Sequence, residues 1–357
     1  MFDLGYGIQE CTKSSILNAI REGRHLIELD VAMTSDGVFI ACHDFTPWRV
    51  AEVEEKTVRE FHSSEIVGQP VIIREIVEGI VSDNDVVSTQ DTICTIEDIL
   101  NTAFAENPNI TFFLDVREDE FHPFVSWISY FPQYLENVVV IFYTFKYRNP
   151  NSITAIIDNE GPADGWKEKV AIMPMIFPEE LPRLAREQDR DPDDEDDLFA
   201  AGETWIDAVA QQGFRLIALQ TVFTDVSYIQ LDPGSAAQGA FKENQASARL
   251  ASYVREGNYL KGMYPNLKLV NLTRSYDYSA KIDGVRRYFN YKFREGREKE
   301  WESHEQKFIK RGYATPGNKN CDIITSDRSE DDMAWLTWYA YGTAYGTNFN
   351  APHLNIA

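Results

Sequence analysis

No run of about 18 apolar residues, the length a membrane-spanning helix needs, occurs anywhere in the sequence. Nor does a charged-then-apolar leader with a small-residue cleavage site open it, so no targeting signal is visible. Positive charge is also scarce. The chain carries 34 Lys and Arg against 57 Asp and Glu, a formal net charge of −23. No basic stripe offsets that excess, which argues against nucleic acid as a partner. Any anionic substrate must then be met by a local cation, either a metal ion or an Arg or Lys side chain. Cysteine is sparse: Cys11, Cys42, Cys94 and Cys321 form no CxxC pair. A structural zinc site is therefore not indicated, and there are too few thiols for a disulfide scaffold. One or two bridges, and the redox compartment, stay open. The densest acidic run, "DRDPDDEDD" (189–197), lacks the Gly and terminal Glu spacing of an EF-hand and reads as a solvated loop.

What is present is an alternation of strand-like and helix-like segments. The apolar runs "HLIELDVAM" (25–33), "ITFFLDVR" (110–117), "NVVVIFYTF" (137–145), "VAIMPMIF" (170–177), "FRLIALQTVF" (214–223), "LKLVNLTRS" (267–275) and "CDIITSD" (321–327) are rich in Val, Ile and Phe and bounded by polar or Gly/Pro punctuation. Helical patterns separate most of them. "TKSSILNAIREG" has Thr12 as N-cap and Gly23 as stop, and "TIEDILNTAF" and "ETWIDAVAQQG" are similar. Alternating β and α predicts a parallel sheet. With "VFIACHD" (38–44) set aside as a hairpin extension, seven principal strands remain, and a (β/α)8 barrel needs eight. The chain of 357 residues reads as one barrel domain (1–357) with a polar insertion at about 45–95 that holds no clean element. Residues 178–203 and 224–260 read as loop or irregular helix, and "AWLTWYAYG" as a closing helix. The missing strand falls in "MFDLGYGIQE", which is short and Gly-rich: it is either degraded or absent.

The chemistry concentrates in two strands. In "HLIELDVAM", period-2 alternation places Leu26, Glu28 and Asp30 on one face and His25, Ile27, Leu29 and Val31 on the other. In "ITFFLDVR", Thr111, Phe113, Asp115 and Arg117 share a face. Glu28 and Asp30 thus fall at the C-terminal end of a parallel strand, where barrel active sites lie, and Asp115 is a candidate third ligand from the next strand. Burying uncompensated carboxylates is costly. Two arrangements resolve the cost. One is an oxygen-ligated divalent cation, Mg²⁺ or Ca²⁺, with Arg117 free to grip a phosphate oxygen. The other is a buried salt bridge from Arg117 to Glu28 or Asp30. His43 follows the Asp36-Gly37 turn and returns to the same mouth, with a side chain suited to proton transfer.

"ECTKSSILNAIREGRHLIELDVAMTSDGVFIACHD" (10–44) resembles the opening of the glycerophosphodiester phosphodiesterase family, in which a Glu-x-Thr helix start leads to Glu-x-Asp, Thr-x-Asp-Gly and His-Asp. "KTVREFHSSEI" (56–66) is similar to that family's insertion and "CTIEDIL" (94–100) to the helix that follows it. "FFLDVR" resembles its Glu-x-Lys strand, and "CDIITSDR" (321–328) its closing strand. The resemblance is dense over 10–117 and thin between 117 and 321. It implies a (β/α)8 barrel of the phospholipase C-like type. It implies a divalent cation on Glu28, Asp30 and Asp115, with Asp115 in place of the usual Glu. Arg117 would contact the phosphate in place of Lys, and His43 would be one of two catalytic histidines. The substrate implied is a small-molecule or lipid-headgroup phosphodiester, such as a glycerophosphodiester or lysophospholipid.

The family's other histidine lies in a His-Arg-Gly stretch ending the first strand. "MFDLGYG" contains no His. The loss of strand and histidine together predicts an N-terminally shortened chain, slow or inactive by itself. His62, His122 and His353 read as surface or packing residues. Two alternatives therefore stand beside the hydrolase: a non-catalytic barrel that binds a phosphodiester or metal without turnover, and an unrelated barrel with structural carboxylates. Asn109 and Asn271 begin glycosylation-type triplets, which leaves secretion or a cytoplasmic location open.

Overall fold

The computed structural model describes residues 10–77, 80–117, 119–144, 146–223, 243, 245–247, 249–254, 259–273, 277–282, 285–290 and 323–325. The strands are β1 (Leu26–Met33), β2 (Phe39–Ala41), β3 (Pro70–Val77), β4 (Ile80–Thr92), β5 (Thr111–Val116), β6 (Val138–Tyr143), β7 (Ala171–Ile176), β8 (Arg215–Leu216), β9 (Ala218–Phe223), β10 (Lys268–Thr273), β11 (Asp277–Ile282), β12 (Val285–Asn290) and β13 (Ile323–Thr325). The helices are α1 (Lys13–Arg21), α2 (Ser63–Ile66), α3 (Ile96–Glu106), α4 (Phe121–Ile128), α5 (Ile153–Asn159), α6 (Trp166–Lys169), α7 (Leu181–Glu187), α8 (Glu195–Gln211) and α9 (Tyr259–Met263). None of the described helices is long and apolar enough to cross a membrane.

The main sheet runs β13-β10-β9-β7-β6-β5-β1-β2, with β8 also on β7. Every pairing in it is parallel except β1 with β2. This is the chain-order neighbour pattern of a (β/α)8 barrel. The predicted strands fall where the alternation puts them. Among the described residues no strand joins β13 to β1. The stretch in which a degraded or absent first strand was expected, residues 1–9, lies outside the described residues, as do the "AWLTWYAYG" helix, Cys321 and His353.

Both faces of the sheet carry a buried apolar cluster, as a parallel sheet covered on both sides requires. One face carries Ile27, Leu29, Val31, Phe112, Leu114, Val116, Val138, Val140 and Phe142. It packs under Ile16 and Ile20 of α1, Ile96, Ile99 and Leu100 of α3, and Phe121, Phe124 and Val125 of α4. The other face gathers Phe113, Val139, Ile141, Met173, Met175 and Val270 into a separate interior cluster. Glu28, Asp30 and Asp115 lie on that interior face by alternation.

Helix ends follow their chemistry. Thr12 caps α1 by accepting from the Ser15 N–H, and Thr95 caps α3 by accepting from the Asp98 N–H. Gly23, just past α1, has φ +82°, which only a residue without Cβ adopts freely. Two expectations need correction. The acidic run at 189–197 is not all loop: Asp194 caps α8, and Glu195, Asp196 and Asp197 form its first turn. Negative charge there is stabilised by the unpaired N–H groups of the helix start. Correspondingly, much of 178–203 is helical, in α7 and α8. The insertion at 45–95 also holds regular structure, α2 and the long β3–β4 hairpin, which joins β12 and β11 in a separate antiparallel sheet. The turns and strands of this segment pack Ala51, Val58, Phe61, Ile66, Val71 and Ile93 against Ala32, Ile40 and Cys42. The hairpin was hidden because "DNDVVSTQD" lacks a continuous apolar face.

Trp205 of α8 is 1% exposed, and its indole N–H donates to the Tyr147 carbonyl at 2.8 Å. Trp205→Ala is expected to destabilise the fold by about 3–5 kcal/mol, the usual cost of emptying so large a buried site. Trp205→Phe, which mainly removes the hydrogen bond, should cost about 1–3 kcal/mol. Urea unfolding of the two variants measures both values.

Candidate active site

Parallel pairing of β1 with β5 sets the site. Its register places Asp30 directly opposite Asp115 and Glu28 opposite Phe113. Glu28, Asp30 and Asp115 each present a carboxylate oxygen within 4.8 Å of the others. The structure thus brings together the three carboxylates that alternation put on one face. Burial raises the Asp30 carboxyl above its ordinary value, and nearby Glu10 adds to the rise while His43 and Arg117 oppose it. Burial raises Asp115 as well, with the charge of Asp30 across the strand pair next in size. Two such groups side by side cannot both ionise cheaply without a cation. Three converging hard oxygen donors are a donor set that suits Mg²⁺ or Ca²⁺.

Two partners at this cluster were not foreseen. The Tyr143 hydroxyl, at the end of β6, donates to Asp115 Oδ1. Alternation along "NVVVIFYTF" puts Val139, Ile141 and Tyr143 on the interior face, so the position was legible although its role was not. The Cys11 thiol lies 3.9 Å from Asp30 Oδ2, and burial, with Asp30 second, holds it well above the ordinary thiol value, so it stays protonated.

His43 stands beside the carboxylates on the turn after β2. Its Nδ1 is 2.9 Å from Asp44 Oδ1, which leaves Nε2 as the nitrogen able to exchange a proton. Burial works against a charged imidazole, but Asp30, the Asp44 hydrogen bond and Glu10 outweigh it, so its pKa sits well above the ordinary value. Asp44 is held in turn by Arg49, whose Nε reaches Oδ2 at 2.5 Å and Nη2 reaches Oδ1 at 3.0 Å. Arg49 Nη2 also donates to Glu10 Oε1. Glu10, His43 and Asp44 thus form a second cluster of potential ligands, but here the buried guanidinium already supplies the positive charge. Neither Arg49 nor a role for Glu10 was found from sequence. "HDFTPWR" offers an Arg five residues after Asp44 but nothing to say that it folds back.

Arg117 follows β5. Its Nη2 donates to the main-chain carbonyls of His43 at 2.8 Å and Cys42 at 3.3 Å, and its guanidinium lies 4.4 Å from the Phe45 ring centre. Among the described residues the hydrogen bonds of its guanidinium go to these carbonyls, and its charge also acts on Asp30. The other histidines expected to be structural lie elsewhere. His62 caps α2 by accepting from the Ser64 N–H, and His122 pairs with the Tyr147 hydroxyl at 3.1 Å. A cavity of about 340 Å³ lined by His122, Lys146, Tyr147, Arg148 and Glu187 shares no residue with the carboxylate site. Its cations are matched by Asp119, Glu180 and Glu187, which leaves no surplus charge for an anion.

A model of the glycerophosphoryl diester phosphodiesterase family matches residues 4–130. That segment, about a third of the chain, holds Glu28, Asp30, His43, Asp115 and Arg117 and is similar to this family. No curated protein matches the sequence. Among solved structures, a glycerophosphoryl diester phosphodiesterase from Parabacteroides distasonis is similar at TM-score 0.51 and 12% identity, covering 94% of this chain and 83% of that one. A second glycerophosphodiester phosphodiesterase from the same organism gives TM-score 0.47 and 13% identity over 94% of both chains. The likeness at TM-score 0.51 supports the (β/α)8 barrel as the fold, with the parallel sheet not closed among the described residues.

The buried Glu10–Arg49–Asp44 unit generates a stability prediction. Arg49→Met leaves two buried carboxylates without their cation and should cost about 3–5 kcal/mol in urea unfolding. For Asp44, burial alone would raise the pKa, but Arg49 and the His43 hydrogen bond more than offset it and hold it below the ordinary value. A folded pKa below the unfolded one, about 3.9, adds stability that is complete above roughly that pH. It is lost as the pH falls through the folded value. Wild type should therefore lose stability in acid below about pH 4, and Arg49→Met should show a much weaker loss over the same window.

Proposed function

We propose that this protein hydrolyses a small-molecule or lipid-headgroup phosphodiester, of the glycerophosphodiester or lysophospholipid kind, at a divalent-cation site formed by Glu28, Asp30 and Asp115. The observation that carries this reading is the convergence of three carboxylates from two register-paired strands. Those residues would hold Mg²⁺ or Ca²⁺, which when bound supplies positive charge against the phosphoryl oxygens. Tyr143 fixes one oxygen of Asp115 and so leaves its other oxygen for ligation. His43, with Nδ1 tied to Asp44, exchanges a proton at Nε2 with the oxygen that attacks or leaves phosphorus. Arg117 has Nε and Nη1 outside its main-chain contacts, and these can meet a phosphate oxygen. In a chain of net charge −23 these local cations are what makes a site for an anion.

A second reading has its own support. His43 is the one histidine that the described residues bring to the carboxylates, and a phosphodiester cleavage needs proton transfer at both the entering and leaving oxygens. A barrel that binds cation and phosphodiester without turnover would have the same carboxylate geometry. Assay of glycerophosphodiester hydrolysis with Mg²⁺ or Ca²⁺ separates the two, because turnover that a chelator abolishes rejects the binding-only reading. If turnover is present, His43→Ala should lower kcat by about 10²–10⁴.

Cation binding is tested independently by calorimetry. Glu28→Gln combined with Asp30→Asn should remove binding, and unchanged affinity in that variant would refute the site. Tyr143→Phe keeps the ring but loses the donor to Asp115, and should weaken cation affinity by about 10-fold or more.

A further inference from the structure

We propose that Arg117 is a positioning residue for His43, in addition to any contact it makes with phosphate. β2 ends at Ala41, and the last ladder bond before the turn is the Cys42 N–H to the Asp30 carbonyl at 3.2 Å. Beyond it the chain leaves the sheet, and the carbonyls of Cys42 and His43 need donors from elsewhere. Arg117 supplies them from across the mouth. Its own N–H is bonded to the Val31 carbonyl at 3.4 Å, which anchors the end of β5 beside β1. From there Nη2 reaches the His43 carbonyl at 2.8 Å and the Cys42 carbonyl at 3.3 Å. The face of the same guanidinium lies over Phe45. Phe45 is 68% exposed, so core packing does not hold it. One planar cation thus grips the turn before, at and after His43, while Asp44 and Arg49 fix the imidazole from its other end.

The chemistry explains why this strand ends in Arg where the resembled family has Lys. A guanidinium is a planar fork that can donate along one edge, stack through its face and keep further N–H groups for an anion. An ammonium is a point charge that can do one of these at a time. Arg117→Lys therefore separates the two roles, because it keeps the charge and loses the grip.

The test uses the full chain and two readouts. The first is the set of ¹⁵N and ¹H resonances of the His43 ring in cation-free protein. Arg117→Lys should shift them, and Phe45→Leu, which removes the stacking face without touching any charge, should shift them in the same direction by less. The second is turnover of a glycerophosphodiester, which rests on the function proposed above. There Arg117→Lys should lower kcat by roughly 10- to 100-fold, as misplaced acid–base groups do, while affinity for inorganic phosphate is kept. His43 resonances unmoved in Arg117→Lys would overturn the proposal. So would a fall in phosphate affinity that alone accounts for the lost activity. If the wild type shows no turnover the functional reading fails, and the ring resonances still decide the positioning role.

Discussion

The register between β1 and β5 is the constraint on which the rest of the site depends. It sets Asp30 directly opposite Asp115, an arrangement that two like charges resist. What holds it is the other face of the same strands. Ile27, Leu29 and Val31 pair with Phe112, Leu114 and Val116 and are buried under α1, α3 and α4. A slip by one residue would carry the carboxylates into that apolar layer and turn the aliphatic side chains toward the mouth. Burial of the outer face therefore forces the confrontation of charges on the inner one. The repulsion stored there is what a cation would relieve.

Two neighbouring carboxylate clusters illustrate two solutions to the same electrostatic problem. Around Glu10 and Asp44 the compensating charge is covalent, the guanidinium of Arg49, which is 3% exposed and bonded to both acids. Beside Asp30 and Asp115, Arg117 gives hydrogen bonds to main-chain carbonyls while its charge acts on both acids. The first cluster is a braced scaffold whose product is the orientation of His43. The second is the one proposed to take an exchangeable cation. Asp30 links the two, because its charge is felt by both Asp115 and His43.

The sequence exposed the parts of this site that obey short-range rules. Period-2 alternation alone put Glu28 and Asp30 on one face and Asp115 with Arg117 on another strand's matching face. Capping chemistry located the start of α1 at Thr12, and the parallel-sheet pattern gave seven strands that the structure places side by side. What stayed hidden depends on long-range return of the chain. Arg49 reaches Asp44 only because the segment after His43 folds back in a 3-10 turn, and Tyr143 reaches Asp115 only because β6 pairs beside β5. The β3–β4 hairpin was missed for a different reason. Within its second strand, "DNDVVSTQD" carries little of the alternation that marks a half-buried strand.

The two departures from the resembled pattern, Asp for Glu at 115 in β5 and Arg for Lys at 117 just beyond it, have complementary consequences in this fold. Shortening the acid by one methylene draws its carboxylate back toward the strand, within reach of the Tyr143 hydroxyl on β6. Replacing Lys by Arg extends the cation into a fork that reaches the turn around His43. One change ties the metal-ligand candidate more closely to the sheet, and the other ties the candidate acid–base group to the same strand. Through β5 both halves of the site are referred to a single rigid element, which is the condition for holding a carboxylate cluster and an imidazole at a fixed separation.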